Sequence, residues 1–349
     1  MAAATGSSIG TLLAAMPIFF PAGVALGADP TMLAGAVLSG AIFGDNLAPV
    51  SDVTVISSVT QRFRNGTPAD IAGVVRTRLP YAMIALAVSL PVYAFMGESL
   101  PVSEAALSGD ASALLMLVPV AVLIVVAVRT RDVLMAISAG VVTGTATGLL
   151  IGRLSFATIF AADDGRLSGF LISGISNVSP IILLCVTLFA FTGIVREAGV
   201  PDMMAKALET GAAGRPSALR TELFLSAATL VVTTLFAAVT SASVALVGSL
   251  TDDIGRASNV HPYRRSHILS GLANSLPVLM PFSAFVLITM AAVSGLEGGA
   301  AVTPFTLMTA AFYPIALFLV FGFMVLTGTG RMTETPEPEA AEAKTATAL

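Results

Sequence analysis

The sequence has little charge and few of the residues that build metal centres or disulfides. Charged residues make up 11% of its 349 residues, against roughly 25% in a soluble globular protein. It has no tryptophan, two histidines and a single cysteine, Cys185. This composition excludes an internal disulfide and a Cys/His metal cluster. The net charge of −4 excludes a basic surface for nucleic acid. We expect neither a cofactor nor a nucleic-acid partner.

Long apolar runs dominate what is present. Hydrophobic residues make up 56% of the chain, and the mean hydropathy is +0.91. These values predict an all-α polytopic membrane protein with roughly eight to ten transmembrane segments, since about 20 apolar residues are needed per crossing. The runs are Ile9–Leu26, Met32–Phe43, Leu79–Met96, Ala113–Val128, Val133–Ile151, Ser179–Val195, Leu223–Val239 continuing to Leu250, Ser266–Val293 and Phe305–Leu326.

The charges between the runs predict an orientation. The segment Gln61–Arg78 carries four arginines and is assigned to the cytoplasm, while the acidic segment Gly97–Asp110 is assigned to the outside. The protein is then expected in the cytoplasmic (inner) membrane, in contact with lipid on its outer face. The basic segment Asp252–His267 conflicts with simple counting of crossings, which leaves the orientation of the second half open.

The chain divides by composition into one transporter domain and a tail. We expect the domain over 1–328, with a first-half core at 1–96, connecting helices at 97–220 and a second-half core at 221–328. Residues 329–349 are rich in acidic residues and proline and are predicted to be disordered.

One apolar stretch, Ser39–Ser58, carries polar residues that a simple membrane anchor would not tolerate. It contains Asp45 and Asp52, and a central Asp costs about 2.5–3.5 kcal/mol on insertion scales. Pro49 removes a helical hydrogen bond, and freed carbonyls at membrane depth need a protein or aqueous environment. The stretch is therefore predicted to be a discontinuous or re-entrant helix. A polar loop in water is the alternative.

Carboxylates, hydroxyls and freed carbonyls are hard oxygen ligands for a small cation, and an Asp can also hold a proton. One site of this kind could exchange the two species, with Na⁺ at Asp45 and Asp52 as the expected metal cargo. The candidate cation and proton ligands are Asp45, Asn46, Ser51, Asp52, Thr54, Ser57 and Ser58.

A weak echo of this region occurs in the second half. Leu38–Ser51 and Leu269–Ser283 both contain L-S-G, a polar pair, a proline and a serine two residues later, while Thr5–Ser8 is echoed by Thr240–Ser243. Paired interrupted segments point to a transporter site between inverted repeats; coincidence is the alternative. The helix-break candidates are Thr5, Ser7, Ser8, Thr240, Ser241, Ser243, Asn274, Ser275 and Ser283.

Three motifs, in order, resemble those of NhaC-type sodium/proton antiporters of the ion transporter superfamily. G-A-I-F-G-D-N-L-A-P-V-S-D-V-T-V-I-S-S at 40–58 resembles G-A-x-F-G-D-x-x-S-P-x-S-D-T-T-x-x-S-S. T-G-S-S-I-G-T at 5–11 is similar to A-T-G-T-S-x-G-T, and V-V-R-T-R-L-P-Y-A at 74–82 to H-V-x-T-Q-x-P-Y-A. The resemblance implies cation or proton roles for Asp45 and Asp52, with the nearby hydroxyls in or beside the pocket.

Three positions depart from the family pattern. Ala48 replaces the serine before the proline, Val53 replaces the first paired threonine, and Val74 replaces the histidine. A histidine-based pH response therefore does not carry over, and Na⁺ is less firmly implied. The family's helices before the first motif are also missing at the start of this sequence, as in a truncated or shortened member.

We expect a secondary active transporter rather than an enzyme, exchanging a cation, Na⁺, for H⁺. The alternative is a cation-coupled carrier or exchanger of an organic solute such as a carboxylate. An intramembrane aspartyl protease is disfavoured because Ile42 stands where its G-x-G-D motif needs glycine, and a non-transporting remnant stays open. The transported species, the stoichiometry and a homodimeric assembly are left open.

Overall fold

The computed structural model describes residues 1–97, 115, 117–152, 154–159, 161–163, 166–169 and 217–334, with isolated positions between 172 and 199. The expected acidic loop after Gly97, Cys185 and the tail beyond 334 lie outside these residues. The protein is an α-helical polytopic membrane protein, as predicted. Among the described residues, four stretches can each cross a membrane by length and composition, and six can if two bent helix pairs count as one span each. Three shorter apolar helices accompany them.

The first half contains five helices: α1 (Ala2–Thr5), α2 (Ser8–Ala25), α3 (Pro30–Leu47), α4 (Asp52–Thr60) and α5 (Ile71–Met96). Side chains that accept a backbone N–H mark three of the starts. Ser7 caps α2, Asp29 caps α3 and Asp70 caps α5, which satisfies donors that have no partner in the first helical turn.

The connecting region forms a hairpin of two apolar helices, α6 (Leu117–Thr130) and α7 (Val133–Leu150). A single helical turn, α8 (Phe156–Ile159), follows. Strands β1 (Ala161–Asp163) and β2 (Arg166–Ser168) then pair antiparallel, with Asp163 opposite Arg166. Many large apolar side chains of α6 and α7 are exposed, as expected of helices that face lipid.

The second half contains helices α9 to α14, several of them separated by short breaks. Their bounds are α9 (Ala218–Leu235), α10 (Thr240–Ala257), α11 (Pro262–Ala273), α12 (Ala284–Val293), α13 (Pro304–Ala310) and α14 (Phe312–Thr327). Short 3₁₀ turns cover Leu276–Leu279 and Gly299–Ala301. The chain bends by 51° between 262–279 and α12, and by 57° between α13 and α14.

The breaks in each half contact one another. In the first half, Gly6 between α1 and α2 has φ +68°, and a Cβ there would lie 2.7 Å from the carbonyl carbon of Val50, between α3 and α4. In the second half, the N–H of Ala284 at the start of α12 donates to the carbonyl of Ala237, between α9 and α10 (2.9 Å). Ser51 and Ser283 occupy the N-cap positions of α4 and α12. These are the positions that the sequence echo aligns.

The helix α11 lies at the centre of the bundle. All of its residues except Tyr263 are buried, and it packs against α4, α5, α9, α10 and α14. The cluster of buried apolar residues around it draws on both halves, including Leu38, Ile42, Ile268 and Phe321. The first-half break between α3 and α4 is therefore held against the second half.

Two expectations about loops are wrong. The predicted loop Gln61–Arg78 ends at Asp70, where α5 begins, and Arg78 is buried inside that helix. The predicted loop Asp252–His267 is the end of α10 and the start of α11, with a connection of only a few residues. Arg264 and Arg265 are fully buried because each pairs with a buried carboxylate, so these residues do not report an exposed loop.

Candidate functional site

Asp45 lies near the end of α3, just before the break at Ala48–Ser51. Its side chain is buried, with the residue 4% exposed, and its Oδ1 atom makes no hydrogen bond. A buried carboxylate oxygen without a partner is costly unless a proton or a cation satisfies it. This is the chemical state required of a side chain that holds H⁺ or a cation in turn.

Two helix starts lie beside this carboxylate. The hydroxyls of Ser8, the first residue of α2, and Ser51, the N-cap residue of α4, lie near the Asp45 carboxylate and stabilise its charged form. Helix N-termini carry partial positive charge, so both favour a negative charge at Asp45. The Oγ atom of Ser51 is buried and makes no hydrogen bond, which leaves it available as a neutral ligand.

Thr11 is a further buried oxygen in this region. It lies three residues after Ser8 and therefore on the same face of α2. Its hydroxyl is buried and makes no hydrogen bond. Sequence analysis did not include Thr11 among the candidates, although it closes the T-G-S-S-I-G-T motif and its spacing from Ser8 could have drawn attention to it.

Asp52 differs from Asp45 in its exposure. It is the first residue of α4 and is exposed, whereas both carboxylates are expected to lie inside the bilayer. Its charge still acts on Asp45. The structure therefore brings one buried carboxylate and one accessible carboxylate to the same helix break.

Asn46 connects the break to the second half of the bundle. It is 1% exposed, and its Nδ2 donates to the Tyr313 hydroxyl on α14 at 3.1 Å, while its Oδ1 makes no hydrogen bond. Tyr313 was not predicted, because nothing in the run Phe305–Leu326 distinguishes it as a partner of a residue 267 positions away.

The hydroxyls of α4 are buried but already engaged. Ser57 and Ser58 donate to the carbonyl oxygen of Thr54 at 3.0 and 2.6 Å, and Ser57 also accepts from Ser266 of α11 at 2.9 Å. These bonds fix α4 against α11. Thr54 is 1% exposed, and its Oγ1 accepts from Arg78 at 2.7 Å.

Arg78 was predicted to lie in a cytoplasmic loop, but it lies inside α5. Its side chain is fully buried, and its guanidinium donates to the hydroxyls of Thr54 on α4 and Ser270 on α11. Its Nε makes no hydrogen bond, and the charge of Asp45 acts on it. A single arginine therefore joins α4, α5 and α11 beside the buried carboxylate.

Four second-half candidates, Ser243, Asn274, Ser275 and Ser283, are fully buried, and most of them already make hydrogen bonds. Asn274 is the exception: it is 1% exposed, and neither its Nδ2 nor its Oδ1 has a partner. Ser275 and Ser243 donate to carbonyls of their own segments at 2.6 and 2.9 Å. Ser283 donates to the Val278 carbonyl and caps α12.

The remaining helix-break candidates have local roles or partial exposure. The Thr5 hydroxyl donates to the Met1 carbonyl, and Ser7 caps α2 by accepting from the Gly10 N–H at 3.0 Å. Thr240 is buried at the start of α10, and Ser241 is half-buried. The structure does not bring these four together around the Asp45 carboxylate.

Buried charge pairs tie the halves together at one end of the bundle. Arg265 contacts Asp252 (2.7 Å) and Gln61 (3.0 Å), and the Arg62 N–H donates to Asp252 at 2.8 Å. Since Gln61 and Arg62 follow α4, this cluster joins the first half to the corner between α10 and α11. The contacts hold the end of α4 against α10 and α11.

A second cluster at the same end is centred on Glu222. This residue is fully buried and accepts from both Arg264 (3.0 and 3.1 Å) and Arg331 (3.1 and 2.9 Å). Glu222 begins the second half on α9, and Arg331 follows its last helix. The pairs therefore join the two ends of the second half.

The first part of the chain matches a known family. Residues 1–98 match the Na⁺/H⁺ antiporter family, which confirms the resemblance to NhaC-type antiporters. The Na⁺/H⁺ antiporter NhaC of Alkalihalophilus pseudofirmus is 28% identical over 229 residues, covering 58% of this chain and 47% of the relative.

Two other relatives match shorter stretches of the chain. The malate-2H⁺/Na⁺-lactate antiporter of Bacillus subtilis is 35% identical over 97 residues, which is 28% of this chain and 19% of the relative. An uncharacterized protein of Haemophilus influenzae is 40% identical over 85 residues, or 24% and 15% of the two chains. The chain thus spans less than half the length of each of these relatives. No solved structure matches it.

Proposed function

We propose that the chain is a secondary active antiporter that exchanges Na⁺ for H⁺ across the cytoplasmic membrane, because residues 1–98 match the Na⁺/H⁺ antiporter family. The observation that carries this proposal is Asp45, a buried carboxylate at a helix break with one oxygen that no protein donor satisfies. The curated relative named as a Na⁺/H⁺ antiporter supports it.

In this mechanism Asp45 binds either a proton or a cation. The ionised carboxylate, with the unpaired hydroxyl of Ser51 and that of Thr11, offers hard oxygen ligands to Na⁺. Protonation of Asp45 removes the negative charge and releases the cation. Asp52, exposed at the start of α4, attracts cations to the break and supplies no enclosed ligand. Movement of the two halves about the paired breaks would expose the site to each side in turn.

The test is exchange by the reconstituted chain. In proteoliposomes with an internal pH dye, a Na⁺ pulse should move protons in the wild type and not in Asp45→Asn, which keeps the shape but cannot be ionised. Asp52→Asn should weaken the response to low Na⁺. Asp253→Asn is the matched control, since this carboxylate is 85% exposed on α10.

Undiminished exchange in Asp45→Asn, with normal size-exclusion behaviour, would contradict the mechanism. Loss of exchange in Asp253→Asn to the same degree would show that the assay reports general damage and not the loss of a site. The location in the cytoplasmic membrane is tested separately by membrane fractionation of the native cells.

A second candidate function is a cation-coupled exchanger of an organic carboxylate. The relative named as a malate-2H⁺/Na⁺-lactate antiporter favours it, because that relative is 35% identical to the chain over 97 residues. Parallel sodium-jump and solute-uptake assays on one preparation separate the two functions: only the second requires movement of labelled solute.

A further inference from the structure

In the part of the chain that the structure describes, three arginines are fully buried, and Arg78 differs from the other two in its partners. Arg264 and Arg265 each pair with a carboxylate, at 3.0 and 2.7 Å. Among the residues that the structure describes, Arg78 forms no ion pair within 4 Å and donates only to the neutral hydroxyls of Thr54 and Ser270. A guanidinium out of water without an anion is costly, so a counter-charge is missing.

The guanidinium also has unused donors. Arginine carries five N–H groups in a planar fork, and Nε of Arg78 is buried and makes no hydrogen bond. Such a fork matches the two oxygens of a carboxylate better than any other side chain does.

Asp45 cannot serve as the permanent partner of Arg78. It acts on Arg78 electrostatically but forms no ion pair with it within 4 Å, and its Oδ1 makes no hydrogen bond. When Asp45 holds Na⁺ or a proton, its charge is neutralised. Asp52 is exposed, so the buried part of the region is then left with Arg78 and the N-termini of α2 and α4, all of them positive. Charge balance in this state requires an anion.

We infer that Arg78 is an anion-binding residue and that the site takes a small carboxylate together with its cation. This inference rests on the proposed role of Asp45 as the cation ligand. Because the cation and the carboxylate neutralise opposite charges in one region, each should raise the affinity for the other. Lactate, a monocarboxylate, and succinate, a dicarboxylate, are suitable probes.

The experiment measures carboxylate binding to the purified chain in detergent, by thermal shift, at fixed NaCl. Lactate or succinate should raise the melting temperature of the wild type, with an affinity that increases as NaCl replaces choline chloride. Arg78→Gln should weaken this binding about tenfold or more, the loss expected for hydrogen bonds to a charged group. Arg78→Lys should recover part of it, because the charge returns without the fork.

Arg76→Gln is the matched control, since Arg76 is two residues away on α5 and exposed; it should bind the carboxylates as the wild type does. The inference is overturned if neither carboxylate binds the wild type, if binding ignores Na⁺, or if Arg78→Gln binds as well as the wild type. Asp45-dependent Na⁺/H⁺ exchange that persists without carboxylate binding would overturn this inference and leave the antiporter proposal standing.

Discussion

Replacing Glu222 with glutamine tests whether buried charge pairs hold the second half together. Glu222 is fully buried and accepts four N–H groups from two arginines. Glu222→Gln keeps the volume but leaves Arg264, also fully buried, without an anion. Removing one member of a buried ion pair costs about 3–5 kcal/mol of unfolding free energy. Arg331 is partly exposed and adds little to this cost, because water can solvate it.

The assay is unfolding of the purified chain, by denaturant or by heat, compared with a matched surface change. Asp253→Asn removes the carboxylate of an exposed ion pair with Arg256, for which about 0–1 kcal/mol is expected. Glu222→Gln should unfold at clearly lower denaturant or temperature than Asp253→Asn. Equal stability of the two variants would refute the argument that the buried cluster needs its carboxylate.

Three further predictions address the breaks and the closed end. Gly6→Ala should lower both stability and exchange rate, because φ at Gly6 is +68° and the added Cβ would meet Val50. Gly40→Ala is the control, since a Cβ there meets nothing within 4 Å. Equal exchange rates in the two variants would contradict this. Tyr93→Phe should cost about 1–3 kcal/mol, since its hydroxyl donates to Ala310 and accepts from the Phe312 N–H across the α13–α14 bend; wild-type melting would contradict it. Burial lowers the pKa of His261 below its ordinary value, and the positive charge of Arg265 adds to this effect while Glu334 opposes it. The unfolded state therefore binds more protons than the folded state, and stability should fall as the pH drops below about 6.5. An unchanged loss of stability at low pH in His261→Gln would contradict this.

The break in α3–α4 was predictable because its causes are local. Pro49 removes a helical hydrogen bond, and carboxylates inside an apolar run need a special environment. The echo also aligned Ser283 with Ser51, and both begin a helix after a break. The cause is again local, since serine is a favourable helix N-cap residue. Local residue types can therefore identify where a membrane helix stops and starts.

The environments of individual charges were not predictable in the same way. Asp45 and Asp52 look alike in sequence, yet the first is buried and the second is exposed, although its neighbours Ser51 and Val53 are buried. Tertiary packing decides which face of α4 is covered. Arg78 was counted as a loop charge since the apolar run begins at Leu79. Its partner Ser270 is 192 residues away, and no local pattern reports such a pairing.

The buried arginines of α11 also show that the environment of a charged side chain cannot be predicted from the local sequence. Counting basic residues placed Arg264 and Arg265 in a loop, but their carboxylate partners, Glu222 and Asp252, come from α9 and α10. The positive-inside rule assumes that basic residues face water, and paired burial violates that assumption. Orientation of the second half must therefore rest on other measurements, such as accessibility labelling.

Proton release on cation binding tests the central claim about Asp45 most directly. NaCl added to the purified chain in weakly buffered detergent solution, at a pH where Asp45 is partly protonated, should release protons in a saturable manner, with choline chloride as the control. Asp45→Asn should release none under the same conditions. Equal Na⁺-dependent proton release from the wild type and Asp45→Asn would contradict the account, because the exchanged proton would then reside elsewhere.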